Sequence, residues 1–199
     1  VWEGHSAYAW ARVYGNRAMA AAMEGAGTMS PLTDIEAQLA RAADGVEQPR
    51  DWIDMDPLGP EMRRLLCRLA GRDGTLAHMQ RLVAMGFDAN ETEEMGLPPL
   101  HVAGWEGMAE PFALFLTLRP DLGHTNRFGG TVFSTILHGS ANCPARKNRD
   151  HVGCMELALQ QGIALPRRAL DVAGETRMRD FLADWAERYP GQVVEDGIV

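Results

Sequence analysis

"PPLHVAGWEGMAEPFALFL", residues 98–116, holds two helical patterns with a break between them. Pro98 and Pro99 suit the first turn of a helix, where no intrahelical N–H is needed and φ is already fixed near the helical value. Leu100, Ala103 and Gly104 place small or apolar residues at helical spacing, as a closely packed inner helix requires. Gly107 supplies the turn, because glycine reaches φ values that most residues avoid. Phe112, Leu114, Phe115 and Leu116 form a second apolar helix, and a polar stretch without helical period follows. The unit is helix–turn–helix–loop. One such pair cannot bury both of its faces, so it needs stacked neighbours, and Leu100, Ala103, Leu114 and Phe115 are expected in the core between them.

The neighbours are visible as a repeat. "LVAMGFDAN" precedes at 82–90 and "LRPDLGHTN" follows at 118–126. Asp88 and Asp121, Gly74 and Gly107, and Ala70 and Ala103 are each 33 apart, as are the helix-opening positions Leu65, Pro98 and Thr131. "SAYAWARVYGNRAMAAAMEGAG" at 6–27 fits the same template: Ala11, Gly15 and Gly27 precede Ala70, Gly74 and Gly86 by 59, one period plus 26. A fixed period of this length is the signature of a stacked array.

"PLHVAGWEG", followed by an apolar helix and "PDLGHTN", resembles the ankyrin repeat, whose pattern runs T-P-L-H-x-A-A-x-x-G with a period of 33. The likeness is to ankyrin proteins of bacterial type, with degenerate repeats and insertions, and "LLCRLAGRDGTLAHMQRLVAMGFDAN" is a weaker copy. It covers residues 1–27 and 62–165 well and 166–186 loosely. The resemblance implies an all-α fold, an ankyrin-repeat solenoid of stacked helix-turn-helix units with two insertions. The chain then divides into a truncated first repeat (1–27), an insertion with a short helix and an irregular connector (28–61), repeats at 62–97, 98–130 and 131–165, the last with an inserted loop at 141–150, and capping helices with a tail (166–199). Pro98 stands where the family has threonine, which removes the hydroxyl that pairs with the motif histidine, so His101 is expected to be buried and bonded to backbone. The copy at 65 has Arg68 in place of that histidine.

Two stretches interrupt the array. In "TDIEAQLARAA", Thr33 and Glu36 have capping-box spacing, which predicts a helix start. Beyond it "DGVEQPRDWIDMDPLGPE" reads as an irregular connector. The whole insertion reads as a surface excursion; Trp52 is the one residue that suggests a partner-binding lid. In the second interruption the helix from Thr131 runs through "VFSTIL", and "HGSANCPARKNRDHVGC" replaces its turn. Residues 166–186 read as a polar last pair, as an array needs where no neighbour follows, and the tail is expected to lose order at its end. No strand is predicted.

Composition narrows the function class. A formal charge of -8, with carboxylates spread along the chain, opposes a phosphate-binding surface and argues against nucleic acid as a partner. No apolar run approaches the roughly 18 residues of a membrane span, so the chain reads as soluble. Cys67, Cys143 and Cys154 are too scattered for a disulfide framework, which fits a reducing, cytoplasmic setting. The chain starts at Val1 rather than methionine, so an upstream segment is expected, and a targeting signal is not judged without it. Lys147 is the sole lysine, a mark of genome composition.

Reactive side chains gather only at 138–154, in His138, Ser140, Asn142, Cys143, Asp150, His151 and Cys154. Cysteine and neutral histidine are natural zinc ligands, which makes a metal site here a minor alternative. The spacing H-x4-C-x7-H-x2-C lacks the tight C-x2-C pairs of known fingers, and structural roles suffice for His151 and Cys154. Ser140 or Cys143 with His138 and Asp150 lacks the strand-to-helix elbow that presents a nucleophile. Neither catalysis nor a bound metal or cofactor is expected.

What the resemblance implies is an interaction module: a non-enzymatic chain, expected to be monomeric, that offers a concave groove to a protein partner the sequence does not identify. The alternative is a regulatory or sensory domain of a larger enzyme or effector. Within each repeat the positions free to face the groove are the loop tip, the residue after the loop glycine and the two residues before the turn glycine. In the first copy these are Trp2, Glu3, His5, Val13 and Tyr14. In the copy at 98 they are Glu94, Met95, Leu97, Trp105 and Glu106, and the next tip carries Arg127 and Phe128. Solvent favours polar residues at such places, so the recurring aromatic and apolar side chains point to a partner. The connector at 28–61 folding back over part of this face is the competing expectation.

Overall fold

Apolar spacing becomes helix almost throughout. The computed structural model describes residues 2–46 and 53–195, and its regular structure is helical apart from two two-residue strands. Trp52 lies outside the described residues. No described helix is long and apolar enough to cross a membrane. The chain forms two compact units, Val1–Leu69 with Asp73–Asp88, and Ala70–Arg72 with Ala89–Val199.

The first unit holds α1 (Ala7–Val13), α2 (Arg17–Gly25), α3 (Asp34–Asp44), α4 (Pro60–Arg63), most of α5 (Leu65–Ala70) and α6 (Leu76–Ala84). The Ser6 hydroxyl caps α1 by accepting from the Ala9 N–H at 3.0 Å, and the Asn16 side chain caps α2 from the Met19 N–H at 3.1 Å. The expected capping box starts α3: the Glu36 carboxylate accepts from the Thr33 N–H at 2.7 Å, and the Thr33 hydroxyl accepts from the Glu36 N–H at 3.3 Å.

The expectation of a surface excursion at 28–61 is corrected here. α3 packs against α1 and α6, and Leu39, Ala40 and Ala42 are buried. Ile53 and Leu58 from the connector are buried too, and the Ile53 N–H donates to the Met85 carbonyl at 3.1 Å. The reason lies in α2, whose one buried residue is Ala20. Trp10 and Val13 on α1 therefore need cover from elsewhere, and burying an aliphatic side chain such as Leu39 contributes roughly 1.5–3 kcal/mol.

The second unit runs α7 (Pro99–Glu106), α8 (Ala109–Leu116), α9 (Val132–Asn142), a 3-10 turn (Arg146–Asn148), α10 (His151–Gln160), β1 (Leu165–Pro166), α11 (Ala169–Val172), α12 (Thr176–Arg188), a 3-10 turn (Pro190–Gln192) and β2 (Val193–Val194). Pro98 is the N-cap of α7 and Pro99 its first residue, and Gly107 closes the helix at φ 65°. Leu100, Ala103 and Phe115 are buried as expected, together with Phe112, Phe133 and Ile136; Leu114 is only half-buried. β1 and β2 pair in parallel, Leu165 with Val193 and Pro166 with Val194. This pair corrects the expectation of no strand: two residues carry no readable alternation. The Gln192 side chain fixes the segment by donating to the Leu159 carbonyl at 2.8 Å and the Ile163 carbonyl at 2.5 Å.

α7 and α9 approach so closely that the contact admits no side chain at one point. A Cβ on Gly139 would run into the Trp105 carbonyl. That neighbour is backbone and cannot rotate away, so Gly139→Ala should destabilise by about 1–3 kcal/mol through overpacking. Gly174→Ala is the control, since its Cβ would sit 3.5 Å from the Ala141 Cβ, an ordinary contact. Urea midpoints report both; a Gly139→Ala midpoint equal to the parent's would contradict the packing described.

Candidate interaction groove

Two successive loops of the second unit are built in the same way. Gly96 and Gly129 turn their tips at φ 75° and 77°. In the first tip the Glu93 carboxylate accepts from the N–H groups of Met95 at 2.7 Å and Leu97 at 3.1 Å. In the second the Asn126 side-chain oxygen accepts from Phe128 and Gly130, both at 2.9 Å. The Arg127 N–H donates to the Met95 carbonyl at 3.0 Å, tying one tip to the other. His124 meets the Gly96 carbonyl through Nε2 at 2.7 Å. The backbone polar groups of the tips are thus satisfied internally, and their side chains are left to project.

These tips form one wall of a groove of about 750 Å³. Met95, Leu97 and Phe128 line it from the tips, and Trp105 from the last turn of α7. α9 also lines it, through Leu137, His138, Ala141 and Asn142, with Arg168 and Val172 from α11 and the residue before it. The Trp105 and His138 rings lie 5.2 Å apart at 41°, and the Asn142 amide donates to the His138 carbonyl at 2.9 Å. Phe128 is 75% exposed and Met95 41%. Among the described residues Arg168 is the one lysine or arginine in the lining. The size and the mainly apolar walls with a few polar groups are those of a binding cleft.

Of the residues predicted to face a partner, Met95, Leu97, Trp105 and Phe128 come together here. Glu94 and Arg127 are exposed at the tips but outside the lining. Glu106 corrects the expectation. The Cys143 thiol donates to its carboxylate at 3.4 Å, and a Cβ on Gly71 would lie 2.8 Å from its Cγ, so it points away from the groove.

In the first unit Val13 is a second correction: it is fully buried, because α1 packs on α3 as well as α2. Glu3 and His5 are held by the insertion, the Glu3 carboxylate accepting from the Glu61 N–H at 3.1 Å and His5 Nδ1 lying 2.7 Å from the Glu36 carboxylate. Trp2 is 54% exposed and rests on Trp10, with ring centroids 5.2 Å apart. Tyr14 is half-buried and stacks on Trp10 with ring centroids 5.4 Å apart.

The α9 and α11 walls were not anticipated. A signal did exist for His138, which lies one period of 33 after Trp105, as Phe128 does after Met95. The expected helix end near residue 137 hid it, whereas α9 continues to Asn142 and stops just ahead of Pro144.

The reactive side chains at 138–154 do not form one constellation: Ser140, Asp150 and His151 line one cavity, and His138 and Asn142 line the groove. His138 lies in the groove, while Cys143 and Cys154 are buried. The Ser140 hydroxyl donates to the Leu137 carbonyl at 2.7 Å, and His151 Nε2 meets the Trp105 carbonyl at 2.9 Å. Burial pushes the Cys154 thiol far up and the His151 imidazole down from their ordinary values. Among the described residues no group of three or more His, Cys, Asp or Glu is placed to hold a metal ion. His101 is buried as expected, but it makes no bond to backbone among the described residues. Its Nδ1 lies 3.4 Å from the Thr135 hydroxyl, and its Nε2 has no partner among the described residues. Comparison with protein-family models and with curated proteins finds no match for the chain.

Proposed function

We propose that this chain is a non-enzymatic interaction module of ankyrin type, and that the groove of its second unit takes an apolar segment of a protein partner. The observation that carries the reading is the meeting of Met95, Leu97, Trp105 and Phe128, residues spread over 34 positions, in one cleft. An exposed Phe128 and a half-buried Trp105 are poised to lose further surface on binding, and aromatic side chains dominate the energetics of such contacts. The ankyrin assignment rests on the period of 33 and on the left-handed glycines Gly15, Gly74 and Gly107 that turn the chain after the first helix in three of the copies.

A peptide-display selection on the full chain supplies ligands for the test. The tightest selected peptides should lose more than about 1 kcal/mol of affinity, roughly fivefold, on Trp105→Ala and on Phe128→Ala. Phe128 is exposed, so its removal should leave thermal stability almost unchanged. Unaltered binding by both variants would move the site off the groove.

A further inference from the structure

A second cavity of about 330 Å³ in the same unit has the opposite chemistry. Arg146, Lys147 and Arg149 line it from the segment between α9 and α10, and Arg177 from the first turn of α12. In a chain of formal charge -8, four cations converge here against two carboxylates, Asp150 and Glu175.

Both carboxylates are already engaged. Asp150 accepts from the Gly153 N–H at 2.9 Å as the cap of α10, and Glu175 from the Met178 N–H at 2.8 Å as the cap of α12. Arg146, Lys147 and Arg177 form no ion pair with an acidic side chain among the described residues. Two of the guanidiniums are anchored by uncharged acceptors: Arg146 donates to the Cys143 carbonyl at 3.3 Å, and Arg149 to the Met108 sulfur at 2.7 Å. Exposed like charges that share a concavity repel one another, and chains ordinarily relieve this by interspersing acids.

We propose that this cavity binds a single phosphate-class dianion, gripped by Arg146 and Arg177 from two separate elements with Lys147 adding a point charge. Guanidinium forks match the geometry of oxyanions, and the lysine ammonium completes a cradle of donors. The cavity has ample room for a tetrahedral group, while the acidic remainder of the surface repels a polyanion. Free phosphate and a phosphorylated serine or threonine of a protein share this chemistry. The inference stands apart from the apolar groove, since none of these four cations lines it.

The test is an amide chemical-shift titration of the full chain with sodium phosphate, against sodium chloride at matched ionic strength. A phosphoserine pentapeptide and its unphosphorylated form follow, then a short single-stranded oligonucleotide. Saturable shifts centred on residues 146–153 and 176–178 are expected with phosphate but not with chloride. Arg146→Gln and Arg177→Gln should each weaken binding at least fivefold, with partial recovery in Arg177→Lys and with melting temperatures held. Tighter binding of the phosphopeptide than of free phosphate assigns the anion to a protein side chain, and the reverse order assigns it to a small metabolite. Equal response to chloride, or no loss in the two glutamine variants, means an adventitious ion only and overturns the proposal. So does an affinity for the oligonucleotide that exceeds both phosphate ligands.

Discussion

Between pH 6.5 and 4 the protein should lose on the order of 3 kcal/mol of stability at each of two buried histidines, His78 and His101. Both rings are buried, and the Nε2 of each has no hydrogen-bond partner among the described residues. Burial pushes both imidazoles down to about 4, helped at His78 by the charge of Arg81 and at His101 by His124. The sign follows from which state takes the proton first. On acidification the unfolded chain protonates near its ordinary value of 6.5, while the folded chain refuses the proton until about 4. Stability present above pH 6.5 is therefore lost progressively across that window, and these two groups cost nothing further below it. Urea unfolding at pH 7, 5.5 and 4.5 measures the slope. His78→Gln and His101→Gln should each flatten it, one in each unit. A parent stability that stays level from pH 6.5 to 4.5 would show that both rings gain protons without opening the fold.

The next largest effects are expected on α7. Leu100 is 1% exposed, and Leu100→Ala should cost about 2–5 kcal/mol, the transfer of the lost methyl groups plus the cavity left behind. Gly107→Val should be comparable for a different reason. The residue sits at φ 65°, where an L side chain is strained by roughly 1–2 kcal/mol. Its Cβ would also lie 2.7 Å from the His151 ring and 2.8 Å from the Arg149 Cβ. The turn also carries the start of α10, because the Gly107 carbonyl accepts from the Asp150 N–H at 2.9 Å. Urea midpoints equal to the parent's in both variants would mean that α7 is not packed in the core as described.

What could be read in the sequence was whatever leaves a local mark. The proline start of α7, the Thr33–Glu36 capping box and the turns at Gly15, Gly74 and Gly107 all depend on residues within a few positions of one another, and each is found where it was expected. α3 shows the limit. Its apolar face is legible, but nothing local says what will cover that face, and a stretch that breaks the period reads as an excursion although α3 packs into the core. Val13 and Glu106 failed similarly. Their repeat positions are right for a groove, but α3 and Cys143 provide neighbours that the period does not encode. The groove itself was half legible. Met95, Leu97, Trp105 and Phe128 follow from the period, whereas Arg168 and Val172 belong to a wall formed by the irregular end of the chain.

Where a bound peptide lands decides the functional reading. The full chain, isotope-labelled and saturated with the tightest peptide from display selection, gives an amide chemical-shift map of the contact. The groove predicts the largest shifts at residues 95–97, 105, 126–130 and 137–142. Large shifts confined to other residues, with those amides unmoved, would contradict it.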